Sequence, residues 1–437
     1  MKYCLIILLI ILSGSLFSQI NSTPRELKVA CQTKEELQAF NNEIKMLKKQ
    51  YYANHKGPSN NSVLQPGHVL LGWPMRANSE YDFVYNYFNL QNYVDQDRFS
   101  TDSTDYNCGR RTYDGHDASD INLYPFWWRM MDNNYVMAVA AAPGIIFSRN
   151  DGNFDHNCSK VGSPNNIVIL HDDSTTTRYL HLKSNSLTTK PDNSRVEQGE
   201  FLGFIGSSGR SSNPHLHFAV YDKYDNLIEP YFETANPQCN VLNNDTWWQN
   251  QRPYWEPQIN RLMTHSNPPT LDFCPGDEAV YAKNQFNSGD QIYTGIAFMD
   301  AQNGDVAACT LTQPNGIVYN SWNVPITSTK SRTYKTNLFT LPSGNPGTWT
   351  FRATYRSKVY AHFFTVGCNS SHTVSGSISG NDGYITGNYI SSTAIHTGSS
   401  NSKVLYQAAN YIELKPGFQA TAGIHFKARI KPCTYTE

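Results

Sequence analysis

Four of the 13 histidines stand where a β core would not select them. His116 and Asp120 lie four apart in Asp114-Gly115-His116-Asp117-Ala118-Ser119-Asp120, among glycine and short polar residues that mark a loop or a strand end. One imidazole and one carboxylate are a common beginning of a zinc site. Further along, Pro214-His215-Leu216-His217-Phe218 puts two histidines at i and i+2, positions that share one face of a strand. Both imidazoles then enter one cleft, while Leu216 and Phe218 face the core. Between these motifs, Arg178-Tyr179-Leu180-His181-Leu182 again alternates a histidine with leucines.

A catalytic zinc takes three protein ligands and leaves one position for water. His116, Asp120 and one histidine of the 215/217 pair supply such a set. The other histidine of the pair, with His181, would stand beside the attacking water, where neutral imidazoles accept its proton and stabilise charge on a tetrahedral oxyanion. That is a plan for hydrolysis.

The elements that must position these residues read as short strands between turns. The clearest are 135–142, 166–171, 176–182, 200–205 and 215–221, punctuated at Pro143-Gly144, Asp151-Gly152 and Gly206-Ser207-Ser208-Gly209. Ahead of them, Thr33 and Glu36 form a capping box, and Leu37, Phe40, Ile44, Leu47 and Tyr51 recur at helical spacing. This helix either packs on the next domain or is a removable inhibitory pro-segment, and 56–62 reads as a linker. The insertion from Asn122 to Asn134 carries Phe126-Trp127-Trp128, either an aromatic cleft wall or hydrophobic packing.

Beyond a Trp-, Pro- and Asn-rich connector, a second β region holds Thr348-Trp349-Thr350-Phe351-Arg352-Ala353-Thr354-Tyr355, which alternates as a half-buried strand of an immunoglobulin-like β-sandwich does. The last segment is Gly/Ser/Thr-rich, then turns to short apolar units with turn glycines, the pattern of a small stacked-strand module. It resembles the coat-hanger-like stack modules that end many exported bacterial proteins, which implies surface attachment or binding without chemistry.

A chain of 437 residues has material for more than one domain. Its 35 Lys and Arg balance 36 Asp and Glu, and charged residues are 16% of the chain, which argues against a nucleic-acid or polybasic membrane-binding protein. Aromatics at 13% and abundant turn formers point to a mainly β protein. Met1-Lys2, the apolar run Leu5 to Leu12 and the small residues up to Ser18 read as a cleaved secretory signal. The run is shorter than the ~20 residues of a membrane span, so no integral membrane segment is expected. Of 9 cysteines, Cys4 falls in the signal, and the remaining even set in an exported chain implies disulfides. Cys108 and Cys158 flank the His116 loop, and their pairing would pin it at a gain of ~3–4 kcal/mol.

The segment from Asp114 to Tyr221 resembles the lysostaphin-type, β-lytic family of zinc endopeptidases, which cut peptide cross-links of bacterial cell walls. The motifs that carry the likeness are His116-Asp117-Ala118-Ser119-Asp120-Ile121, Asn166-Ile167-Val168-Ile169-Leu170-His171, Tyr179-Leu180-His181-Leu182, Gly199-Glu200-Phe201-Leu202-Gly203-Phe204-Ile205-Gly206 and Ser211-Ser212-Asn213-Pro214-His215-Leu216-His217-Phe218. The likeness implies that His116, Asp120 and His217 are zinc ligands and that His181 and His215 are catalytic. Two positions depart from the family pattern: Ala118 stands where glycine is usual, and Ala219 where an acidic residue is usual. Neither is a ligand position.

These readings give a signal peptide at 1–18, an N-terminal helical segment and linker at 19–64, an antiparallel β-sheet zinc peptidase domain at 65–238 and a connector at 239–270. An immunoglobulin-like β-sandwich follows at 271–370 and a stacked-strand module at 371–437. The expected protein is a secreted or cell-surface zinc metalloendopeptidase acting on peptidoglycan or Gly-rich peptides, with wall attachment through its C-terminal modules. The competing expectation is a catalytically silent cell-wall-binding or regulatory protein that keeps the fold.

Overall fold

The structure is a computed structural model that describes residues 20–22, 33–55, 67–79, 81, 85–97, 100–232, 239, 246–271 and 274–433. The expected signal, the 56–62 linker and Cys31 lie outside the described residues. A short strand β1 (Ile20–Ser22) precedes helix α1 (Lys34–Asn54). The capping box forms: Glu36 N–H donates to Thr33 Oγ1 at 3.1 Å, and Thr33 N–H donates to Glu36 Oε2 at 2.7 Å. Helix α1 docks on the following domain through Lys48, whose Nζ reaches Asp225 Oδ1 at 2.5 Å and the Ser174 carbonyl at 3.1 Å.

The next strands are β2 (Met75–Ala77), β3 (Phe88–Asn92), β4 (Ser119–Leu123), β5 (Val136–Val139), β6 (Gly144–Asn150), β7 (Asn166–Leu170), β8 (Thr176–Leu180), β9 (Arg195–Val196), β10 (Phe201–Phe204), β11 (His215–Tyr221) and β12 (Leu227–Ile228). Eight of them form one antiparallel sheet in the order β3-β4-β11-β8-β7-β6-β9, with β12 on β11, and β10-β5-β2 form a smaller one. Leu216 and Phe218 alternate with the histidines of β11 and enter a core with Ile121, Ile167, Ile169 and Tyr179. Helix α2 (Trp127–Asp132) turns both of its tryptophans into this core.

Phe126, Trp127 and Trp128 are therefore packing residues and not a cleft wall; none is more than 2% exposed. Phe126 meets Met263 and Tyr334 of the next domain, and the Arg332 guanidinium lies 4.9 Å from the Trp127 ring. Burying rings of this size stabilises by roughly 1.5–3 kcal/mol each, which decides their direction.

The second β unit comprises β13 (Gln258–His265), β14 (Gln285–Phe286), β15 (Gln291–Ala301), β16 (Val306–Thr312), β17 (Val318–Pro325), β18 (Lys330–Thr340), β19 (Gly347–Tyr355) and β20 (Lys358–Val366). A sheet β1-β18-β15-β13 faces a sheet β14-β20-β19-β16-β17. Ile259, Ile292, Ile296 and Phe298 of the first share a core with Trp349, Phe351, Ala353 and Tyr355 of the second, the face expected from the alternation of β19. The segment expected as a connector contains β13, which pairs with β15 in the first of these sheets. β13 is buried on both faces: Ile259 and Leu262 enter the sandwich core, while Asn260 donates to the Phe88 carbonyl at 2.7 Å. A strand buried on both faces has no polar alternation to reveal it.

The C-terminal strands are β21 (Ser371–Val374), β22 (Ser377–Ser379), β23 (Asp382–Thr386), β24 (Tyr389–Ser392), β25 (Ile395–Thr397), β26 (Lys403–Ala408), β27 (Tyr411–Leu414), β28 (Gln419–Ala420) and β29 (His425–Ile430). They build three parallel sheets, β21-β24-β27, β22-β25-β28 and β23-β26-β29, so that each passage of the chain stacks on the one before. Val374, Ile390, Ala394, Val404 and Tyr406 fill the interior.

Cysteine pairing differs from the expected Cys108–Cys158 bond. Cys108 joins Cys239, Cys158 joins Cys274 and Cys368 joins Cys433, while Cys309, buried between the two sheets, forms no disulfide among the described residues. Neighbourhood in sequence misled here, because later segments of the chain return to the two cysteines. The Cys108–Cys239 bond spans 131 residues, for which the chain-entropy relation gives ~5 kcal/mol. Paired Cys108→Ser and Cys239→Ser substitutions should therefore lower the unfolding midpoint by several degrees, as calorimetry would read, and an unchanged midpoint would remove the bond from the stability argument.

Candidate metal centre

Antiparallel pairing of β4 with β11 sets Asp120 directly opposite His217, so their side chains share a face at close range. Asp120 Oδ1 is 3.1 Å from His217 Nδ1, and Asp120 Oδ2 is 3.0 Å from His116 Nε2. His116 sits in the loop before β4, entered through Gly115 at φ 74°, a left-handed conformation that glycine adopts without cost. Asp95 ties that loop down: its N–H donates to the His116 carbonyl at 2.8 Å and its Oδ2 accepts from Gly115 N–H at 2.9 Å. Beneath it, Glu229 accepts from the backbone of Val94 and Tyr231, and its burial pushes its pKa up to about 8.

His215 begins β11, and His181 follows the end of β8. Leu180 is the residue opposite His217, so a continued strand would carry His181 to the other face. Instead the backbone turns left-handed at His181, with φ 64°, and its ring centre comes to 4.6 Å from that of His215 and 5.6 Å from that of His217. Gly206 holds this arrangement from behind. Its N–H donates to the His181 carbonyl and its carbonyl accepts from the His215 N–H, both at 3.1 Å. A Cβ on Gly206 would lie 2.5 Å from the backbone nitrogen of Lys183. Gly206→Ala should displace His181 and His215 together; misplacement by about 1 Å costs on the order of 100-fold in rate. Steady-state kinetics with parallel metal analysis would check this, expecting metal retained and turnover reduced.

The ring nitrogens divide in a regular way. His116 Nδ1 faces the Tyr93 carbonyl at 2.7 Å, His181 Nδ1 the Ser208 carbonyl at 2.6 Å and His215 Nδ1 the Asn213 carbonyl at 2.7 Å. A carbonyl only accepts, so each of these nitrogens carries a proton and leaves Nε2 as the basic atom toward the site. His217 is reversed, with Nδ1 toward Asp120 and Nε2 3.2 Å from Asp117 Oδ1. Burial alone would raise the Asp120 pKa, but the charge of His116 and His215 when protonated and the hydrogen bonds from His116 and His217 outweigh it and hold the carboxyl well below its usual range.

Among the described residues, two groups of three could hold a metal ion, each with its ligand atoms within 4.8 Å of one another: His116, Asp120 and His217, and His181, His215 and His217. All five residues named from the sequence thus fall in one buried cluster. Asp117 belongs to it too, although the sequence reading assigned it no role; no periodicity says where a loop residue beside a ligand points.

Two histidines and a carboxylate that could hold a metal ion thus stand together, with two further histidines beside them. The Peptidase family M23 model matches residues 131–230. Peptidoglycan DD-endopeptidase ShyC of Vibrio cholerae is 33% identical over 96 residues, 22% of this chain and 22% of ShyC. DD-carboxypeptidase/endopeptidase Mpg of Neisseria meningitidis serogroup B is 38% identical over 68 residues, 16% of this chain and 15% of Mpg. The chain thus spans about a fifth or less of the length of these curated relatives. The solved catalytic domain of the prophage-encoded M23 protein EnpA from Enterococcus faecalis is 20% identical, with a TM-score of 0.20, covering 33% of this chain and 88% of that one.

Proposed function

We propose that this chain is an exported zinc metalloendopeptidase that hydrolyses peptide bonds in peptidoglycan cross-link peptides. The observation that carries the reading is the set His116 Nε2, Asp120 carboxylate and His217 Nδ1, with the Nε2 atoms of His181 and His215 aimed beside it. Two imidazole nitrogens and one carboxylate oxygen are a donor set that zinc accepts, and three ligands leave a position open. Zinc, when bound, supplies Lewis acidity and makes water nucleophilic near neutral pH.

The chain's own residues then divide the remaining work. His181 and His215, neutral with the proton on Nδ1, accept a proton at Nε2 from the attacking water. Once protonated, the same atoms donate hydrogen bonds to the oxyanion that develops from the substrate carbonyl and deliver a proton to the leaving amine. The Ser208 and Asn213 carbonyls stabilise the charged rings and fix their planes. The substrate class is supported by the likeness to ShyC, a peptidoglycan DD-endopeptidase, and Mpg, a DD-carboxypeptidase/endopeptidase. The domain divisions 1–18, 19–64, 65–238, 271–370 and 371–437 belong to the same proposal, with β13 moved from the connector into the sandwich and the terminal stack serving wall attachment. Among the described residues no helix is long and apolar enough to cross a membrane.

Elemental analysis of the purified chain, paired with turnover of a cross-linked wall peptide, tests the reading. One zinc per chain and chelator-sensitive cleavage are expected. Stoichiometric zinc without cleavage would favour a silent wall-binding protein, and absence of zinc would overturn the proposal.

A further inference from the structure

The reversed histidine has a partner that the hydrolytic plan leaves unused. His217 Nε2 lies 3.2 Å from Asp117 Oδ1, and both residues are buried, His217 at 1% and Asp117 at 8% exposure. Asp117 is itself held: its Oδ2 accepts from the Tyr221 hydroxyl at 3.2 Å, and Tyr221 stands on the same strand as His217. The buried Arg178 guanidinium lies 3.7 Å from the centre of the Tyr221 ring and donates to Asn41 Oδ1 of α1 at 2.5 Å. The residue two positions after His217 on its face of β11 is Ala219, which offers no acceptor.

We propose that Asp117 is a positioning residue for the metal centre, its carboxylate accepting the Nε2–H of His217 so that Nδ1 faces Asp120 and the metal. The inference rests on the ligand set proposed above. An imidazole can present either nitrogen, and which one carries the proton is set by the hydrogen bond that the other makes. The backbone carbonyls that perform this duty for His116, His181 and His215 fix Nδ1–H and leave Nε2 inward. His217 needs the opposite tautomer, and Asp117 is the acceptor that selects it. A carboxylate behind a metal-bound imidazole also raises the basicity of the ligand, and removing such a partner typically costs about 10–100-fold in metal affinity.

The test uses the full chain and variants Asp117→Ala, Asp117→Asn and Tyr221→Phe, with zinc affinity read by competition against a chromophoric chelator. Asp117→Ala should bind zinc about 10–100-fold more weakly, and Asp117→Asn, which keeps an acceptor oxygen, should lose less. Tyr221→Phe, which keeps the carboxylate, should stay close to wild type. In the zinc-loaded protein, ¹H–¹⁵N spectra should show the His217 Nε2–H at the downfield shift of a proton donated to a carboxylate in wild type, and that shift should move upfield in Asp117→Ala. If Asp117→Ala does not fold, the Asp117→Asn spectrum and affinity decide. Unchanged affinity and an unchanged His217 Nε2–H shift in the folded variants would overturn the role of Asp117. Stoichiometric, undiminished zinc in His217→Ala would instead overturn the ligand set on which it rests.

Discussion

His217→Ala is expected to purify without stoichiometric zinc and without measurable peptide-bond cleavage. His217 is common to both groups of described residues that could hold a metal, so that its loss damages either one. It is the register partner of Asp120, its Nδ1 is 3.1 Å from Asp120 Oδ1, and alanine leaves no donor atom in its place. Two ligands do not hold a catalytic zinc against a chelator, and turnover falls with the metal. Elemental analysis and cleavage of a cross-linked wall peptide would be measured on one preparation, with thermal unfolding to show that the chain remains folded. One retained zinc per chain in His217→Ala, with none in His215→Ala, would exchange the roles of the pair.

The second large effect concerns turnover with the metal in place. His181→Ala and His215→Ala should each keep zinc and lose about 100-fold or more in kcat, the scale of lost acid–base catalysis. Both rings sit with Nδ1 on a backbone carbonyl, so neither depends on the metal for its orientation. The double variant should lose little beyond the worse single one if the two imidazoles act on the same step. Near-normal kcat in both single variants would sink the mechanism. The group His181, His215 and His217 sharpens the test: zinc lost from both His181→Ala and His215→Ala but retained in His116→Ala would move the metal to that group.

What was legible in the sequence is what repeats over a few residues. The His-Leu-His alternation of β11 put two imidazoles on one face and two apolar side chains in the core, and strand geometry alone enforces that. Thr33 and Glu36 announced the start of α1 because a capping box is closed within one turn, and Trp349, Phe351, Ala353 and Tyr355 marked the inner face of β19 by period 2.

Other features were decided by partners distant along the chain. Cys108 took Cys239 and not the nearer Cys158, β13 lost its alternation because both its faces are covered, and Trp127 and Trp128 turned inward once the core and the sandwich lay beside them. The centre divides along the same line. The residue types and spacing named His116, Asp120, His181, His215 and His217, but the left-handed turn that brings His181 onto the face of His217, and the contact between His217 and Asp117, arise only after β4, β8 and β11 have paired. Local periodicity determines which face of its own strand a side chain takes; which nitrogen of an imidazole points at a metal depends on an acceptor that a separate part of the chain must bring to hydrogen-bond distance.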